Sequence, residues 1–236
     1  MVGGEGARWR GVVFDLDGTL LDNMALHAEA FAIFGKRHGL AAFGPEMRAR
    51  LDGKRNRDIF PVLFGRPLPE ADLRRFAEEK EGLYRELSRG RLIALAGLDG
   101  LLERLRAWSI PVAIATSAPP ENVRHTLAEL GLGTRLDRVV RADEVPRGKP
   151  FPDVFLAAAR KLGVPPAECL AFEDAPSGVA AAKASGMTCV GVTTSFDAVA
   201  LAALGAAPDF TVADFDEFLA GTGAWLLEPQ AGSSST

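Results

Sequence analysis

Six short runs of apolar and β-branched residues recur along the chain with helical patterns between them, and that alternation restricts the fold more than any other feature. The runs occupy residues 11–14, 112–115, 138–142, 169–172, 190–192 and 210–212. Each is nearly continuous in apolar side chains, as a strand must be when helices cover both faces of a parallel sheet. The segments between them carry readable helix ends. Val123, Leu127 and Leu130 recur at i, i+4 and i+7, and Gly131 follows at the position after the last turn. Pro152 opens a helix bearing Phe155, Ala159 and Leu162 and closed by Gly163; Pro176 opens an alanine-rich one closed by Gly186. Strand, helix, strand with short connections predicts a doubly wound α/β domain.

One stretch breaks the rhythm. From Asn23 to about Leu92 the periodicity is helical throughout, with Leu73, Phe76, Ala77, Lys80, Leu83, Tyr84 and Leu87 on one stripe. The sequence thus predicts an α/β core made of residues 1–22 and 93–228 and an all-helical subdomain, residues 23–92, inserted after the first strand. Joined by two neighbouring linkers, such an insert can open and close over the strand ends. Residues 229–236 end in Gly-Ser-Ser-Ser-Thr and are expected to be a disordered tail.

Composition removes several functional classes. Lys and Arg number 27 against 31 Asp and Glu, a net charge of −4, which is no basic surplus for nucleic acid. No apolar stretch approaches the roughly 18 residues that cross a bilayer, and residues 1–10 lack the apolar centre of a secretion signal. Cys169 and Cys189 lie in apolar runs, as buried thiols of a reducing compartment do, so a cytoplasmic location is expected; the oligomeric state stays open, with a monomer favoured. Three histidines without cysteine partners argue against structural zinc.

Chemistry-bearing residues gather where the candidate strands end, which is where open α/β sheets bind their ligands. After the first strand come Asp15 and Asp17, two apart, followed by Gly18-Thr19-Leu20. Two carboxylates pointing the same way repel unless a cation lies between them, and hard oxygen ligands suit Mg²⁺. After the second strand Thr116 and Ser117 lead into a helix start, either an anion site or an ordinary cap. Gly148-Lys149-Pro150 precedes the Pro152 helix and places a lysine that either neutralises an anion or is solvated. After the fourth strand, Glu173 and Asp174 enter another helix, with Asp174 placed as a further metal carboxylate.

With its acid pair, hydroxyl, lysine and second acid pair in that order, the sequence resembles the haloacid dehalogenase superfamily. The matching motifs are DLDGTLLD, ATS, GKP and FEDAPSG, across about residues 10–220. The helical insert resembles the small cap of its β-phosphoglucomutase-like branch, and a Rossmann-like core is implied. The resemblance implies that Asp15 is the nucleophile forming an aspartyl-phosphate and that Asp17 is the general acid and base. It implies that Thr116, Ser117 and Lys149 bind the phosphoryl group, and that Mg²⁺ rests on Asp15, the Asp17 carbonyl and Asp174 with Glu173 in or near the shell. Asp17 argues against halide displacement, whose enzymes lack a second acid at this spacing.

In the insert, Met24, His27, Phe31, Phe34 and His38 share a helix face, and Lys80 lies on the stripe of a later helix. His27 and Lys80 are either a core histidine with a snorkelling lysine or groups facing the active site, as in the branch resembled. Lys54, Arg55 and Arg57 lie in a segment like that branch's specificity loop, either substrate-binding or a solvated cluster. Two departures separate the chain from the mutases: Asn56 stands where they carry arginine, and Pro119 and Pro120 stand where a basic residue and Asn grip a second phosphate. The expected activity is therefore a phosphatase for a small phosphorylated metabolite such as a sugar phosphate, with β-phosphoglucomutase as the alternative. A non-enzymatic phospho-acceptor switch, as in signalling receiver domains, is the remote alternative; those lack a cap and carry their acceptor on a later strand.

Overall fold

The first strand, β1 (Gly11–Phe14), is buried along its whole length, and its four residues alternate between two apolar layers. In the computed structural model, which describes residues 9–41 and 44–221, Val12 and Phe14 face one layer and Val13 the other. The predicted tail and residues 1–8 lie outside the described residues. Five further strands join β1: β2 (Val112–Thr116), β3 (Val139–Arg141), β4 (Cys169–Glu173), β5 (Thr188–Val192) and β6 (Phe210–Val212). All neighbours are parallel, in the order β3-β2-β1-β4-β5-β6. The strand order thus reverses between β1 and β4, the switch point where such sheets hold ligands.

Helices α5 (Leu98–Ala107), α6 (Pro120–Glu129) and α10 (Phe215–Ala220) cover the Phe14 face. Helices α7 (Asp153–Leu162), α8 (Pro176–Ala184) and the short α9 (Ala198–Leu201) cover the Val13 face, where small residues such as Ala113, Ala115 and Ala171 allow close approach. Cys169 and Cys189 are buried free thiols within that second layer. α7 ends at Gly163 in the left-handed conformation, as its sequence spacing predicts. The boundaries differ by one or two residues. Ala142 leaves β3 for a single 3₁₀ turn, and β5 begins at Thr188, held by pairing with Leu170 of β4.

Between β1 and β2 come α1 (Met24–His38), α2 (Pro45–Leu51), α3 (Asn56–Leu63) and α4 (Glu70–Ser88), before α5 returns the chain to the sheet. They enclose an apolar cluster of their own, formed by Phe31, Phe34, Phe60, Phe76 and Tyr84 among others. This cluster shares no buried residue with the layers on the sheet.

On the sheet, Phe172 stacks on Phe14 with ring centroids 5.1 Å apart and meets the edges of Phe215 and Phe218 at 5.3 and 4.9 Å. Phe172→Ala removes a wholly buried ring from this cluster and is expected to destabilise the protein by about 3–5 kcal/mol. The urea midpoint checks it; a loss below about 1 kcal/mol would show that the ring is not the keystone of that layer.

Candidate active site

Register brings the acids together. Phe14 of β1 lies opposite Phe172 of β4, and the Asp15 amide donates to the Phe172 carbonyl at 2.9 Å, so Asp15 and Glu173 emerge side by side. Asp15, Glu173 and Asp174 each offer an oxygen within 4.8 Å of the others', and all three are buried. Lys149, from the loop before α7, reaches between them: Nζ donates to Asp15 Oδ1 and to Glu173 Oε1, both at 2.5 Å. Glu173 Oε2 also accepts the amides of Asp174 and Ala175 at 3.0 and 3.2 Å.

The charges are unequal. Burial pushes the Asp15 carboxyl up to about 8, with Glu173 adding to the rise and Lys149 opposing it. Burial, then the charges of Glu173 and Asp15, raises Asp174 well above the usual carboxylate range, although the Ser195 hydroxyl donates to it. For Lys149 burial alone would favour the neutral amine, but the two carboxylates outweigh it and hold the ammonium. Three buried acids facing one ammonium form a donor set that a divalent cation with a preference for oxygen would complete.

Asp17 belongs to a different environment. Its Oδ1 accepts from Asn23 Nδ2 at 2.7 Å and lies 3.6 Å from His27 Nε2. Burial would raise its pKa, but His27, Asn23 and Lys80 together carry it below the usual value. The Asp17 side chain is therefore outside the cluster of Asp15, Glu173 and Asp174. Gly18 follows at φ +83, and a Cβ there would run into the Asp174 carboxylate, so only glycine lets the two acidic loops approach.

Behind Asp17 the insert supplies a buried chain of polar groups. Lys80 is 2% exposed and does not snorkel. Its Nζ donates to Glu81 Oε1 at 3.0 Å and lies 2.9 Å from His27 Nδ1, while the His27 ring stacks on Tyr84 at 3.8 Å. Glu81 also accepts from Asn56 of α3 and Asn122 of α6, both at 2.6 Å, so this one carboxylate ties three helices. Lys80 and the partners around it hold Glu81 below the usual range against the effect of burial.

A cavity opens between the two groups, lined on one side by Asp15, Asp17, Asp174 and Thr116 and on the other by Lys54, Asn56, Lys80 and Glu81. Of the residues singled out in the sequence, Asp15, Asp17, Thr116, Ser117, Asp174, His27, Lys54 and Lys80 reach it. Thr116 Oγ1 accepts the Ala118 amide at 3.0 Å. Ser117 is at the cavity, but its hydroxyl donates to the Gly53 carbonyl. Arg57 is not brought in: it points to the surface, where Glu70 of α4 pairs with it at 3.1 Å. Asn23, Glu81, Asn122 and Ser195 escaped the sequence reading, since an Asn before a helix reads as a cap and a Glu beside a Lys as an exposed pair.

With this geometry in hand, the likenesses to known proteins agree. The family model for haloacid dehalogenase-like hydrolases matches residues 9–186. The chain is 35% identical over 202 residues to validoxylamine A 7'-phosphate phosphatase of Streptomyces hygroscopicus subsp. limoneus, covering 80% of this chain and 88% of that one. It is 33% identical over 187 residues to fructose-1-phosphate phosphatase YqaB of Escherichia coli, covering 78% and 97%. Among solved structures it superposes on β-phosphoglucomutase from Clostridium difficile with a TM-score of 0.76 and 25% identity, covering 88% of this chain and 92% of that one. The chain belongs to the haloacid dehalogenase-like hydrolases.

Lys149→Met would leave Asp15 and Glu173 buried without their cation. Removing one partner of a buried pair costs about 3–5 kcal/mol, and a loss of that size is expected in the urea midpoint measured in chelator. An unchanged midpoint would mean that the pair contributes nothing to stability.

Proposed function

We propose that this chain is a Mg²⁺-dependent phosphatase that hydrolyses a small phosphorylated carbohydrate through an aspartyl-phosphate on Asp15. The observation that carries the reading is the division of labour between Asp15 and Asp17. Asp15 sits in the carboxylate cluster against Lys149, while Asp17 is turned away toward Asn23 and His27. This separation supports Asp15 as the nucleophile and Asp17, in its own hydrogen-bonded environment, as the acid and base.

In the first step, which needs Asp15 ionised and Asp17 protonated, the reverse of their resting tendencies, an Asp15 oxygen attacks phosphorus and the bond to the leaving oxygen breaks, with a proton passing from Asp17 to that oxygen. In the second, Asp17 takes a proton from a water that attacks the aspartyl-phosphate, which returns Asp15 and releases inorganic phosphate. Thr116 and Lys149 hold phosphoryl oxygens through both steps. Asp15, Asp174 and the Asp17 carbonyl would hold Mg²⁺, with Glu173 beside them; when bound, the ion neutralises charge on the phosphoryl group. The helical insert, residues 23–92, acts as a cap whose closure excludes bulk water.

The cavity supports a neutral, hydroxyl-rich leaving group. Asn56, Asn122 and Glu81 line its far wall beside Met24, Phe31 and Ile59. The Arg48 guanidinium is paired with Asp52 at 3.0 Å, and Pro119, which by the resemblance replaces a basic residue of the mutases, lines the cavity. The relatives that act on validoxylamine A 7'-phosphate and fructose 1-phosphate favour the same substrate class.

A phosphate-release assay over sugar, polyol and nucleotide monophosphates, with Mg²⁺ or with chelator, tests the reading. Release from sugar and polyol phosphates is expected with Mg²⁺ and not in chelator. Asp15→Asn should leave below about 1% of the rate, because an amide is a poor nucleophile. Asp17→Asn should lower it by roughly 10²- to 10⁴-fold. Incubated with β-glucose 1-phosphate and a trace of the 1,6-bisphosphate, the enzyme should release phosphate; faster conversion to glucose 6-phosphate would make it a mutase.

A further inference from the structure

The connection between α2 and α3 descends onto the core at Asp52 and Gly53, and two core serines receive it. Ser177, in the first turn of α8, donates Oγ–H to the Asp52 carbonyl at 2.7 Å. Ser117, just after β2, donates to the Gly53 carbonyl at 2.6 Å. Two consecutive main-chain acceptors of the insert thus meet one hydroxyl each from two different core segments. Ser117 follows Thr116 at the end of β2, and Ser177 follows the Glu173–Asp174 pair at the end of β4. Gly53 has φ +79, and a Cβ on it would come within 2.6 Å of Ser177 Oγ and 3.1 Å of Ala175 Cβ. The turn is seated as closely as a backbone allows.

A third contact completes the seat. Arg55, held by Asp58 at 2.7 Å, directs its guanidinium toward the carbonyls of Ala142 and Pro146 at 3.5 Å. Its side chain covers Gly148, the neighbour of Lys149. Asp52, Gly53, Lys54 and Asn56 in turn line the cavity over Asp15 and Asp17. Both acceptors are main-chain carbonyls, so the bonds depend on where the turn sits and not on which side chains it carries.

We infer that Ser117 and Ser177 form a closing latch: positioning residues that hold the Asp52 and Gly53 turn over the acid pair and keep Lys54 and Asn56 against the substrate's carbohydrate part. The inference rests on the phosphatase reading above and adds to it the device that times closure. Neither hydroxyl touches the reacting atoms; each acts through the turn. Substrates large enough to reach the turn depend on the latch, and those too small to reach it do not.

The test uses Ser117→Ala, Ser177→Ala, the double variant and Ser117→Thr. On a hexose monophosphate such as fructose 1-phosphate, each alanine is expected to lower kcat/KM about 5- to 30-fold, the loss a single buried hydrogen bond brings, and mainly through KM. The double variant should lose less than the product of the two, because lifting the turn breaks both bonds at once. Ser117→Thr retains the hydroxyl and should recover to within about threefold of wild type. On acetyl phosphate, Ser177→Ala should stay within about twofold of wild type. Amide hydrogen exchange at residues 52–58 should quicken in both alanine variants while the sheet strands stay protected. Unchanged kcat/KM in both alanine variants, an equal loss on acetyl phosphate, or unchanged exchange at the turn would each overturn the latch. If wild type released no phosphate from any sugar phosphate, the phosphatase reading would fail instead, and the exchange data would still decide whether the serines hold the turn.

Discussion

The Lys149 ammonium, wholly buried between Asp15 and Glu173, is the interaction around which the catalytic end of the sheet is organised. Taking three charged groups out of water is unfavourable, and good geometry with further hydrogen bonds is what makes such a cluster tolerable. Both conditions depend on the sheet. Adjacent parallel strands in the Phe14–Phe172 register deliver the two carboxylates side by side, and the loop before α7 lowers the lysine onto them. A slip of one residue in that register would turn Asp15 and Glu173 to opposite faces and leave the lysine nothing to bridge.

A second polar chain, in the insert, has a different task. Tyr84, His27, Lys80 and Glu81 are linked through hydrogen bonds and ring stacking, and Asn23 joins them to Asp17. Glu81 is anchored from the core by Asn122, which Arg85 of α4 in turn contacts at 2.7 Å. The orientation of Asp17 therefore depends on residues from both the sheet domain and the helical insert. The cluster on Asp15, by contrast, is built from core residues alone. That separation lets two carboxylates only two residues apart keep opposite electrostatic characters: burial raises Asp15, while polar neighbours lower Asp17.

Cap position and chemistry are linked through main-chain atoms. Ser117 and Ser177 hold carbonyls, Arg55 approaches carbonyls, and Gly53 and Gly18 permit close approaches that any side chain would block. Cations also line the cavity wall, but Lys80 is held by Glu81 and Arg48 by Asp52, beside the amides of Asn56 and Asn122.

Local pattern was enough to read the sheet, its helices and the four stations. Period-2 and period-3.6 apolarity are properties of neighbouring residues, and parallel strands end where the chain must turn toward its next helix. Strands at residues 11–14 and 210–212 were legible to the residue, Asp15, Thr116 and Asp174 were legible as strand-end groups, and Lys149 as a group before the Pro152 helix. What the sequence could not express was partnership. Lys149 finds Asp15 across 134 residues, Ser177 finds the Asp52 carbonyl across 125, and Glu81 collects Asn56 and Asn122 from two other helices. Arg57, equally basic and near Lys54 in sequence, is turned away to Glu70. Such choices follow from register, crossover and how the insert seats on the sheet, and these exist only once the chain has folded. Residue types and spacing determined which chemistry the chain carries; tertiary structure decided which side chains deliver it.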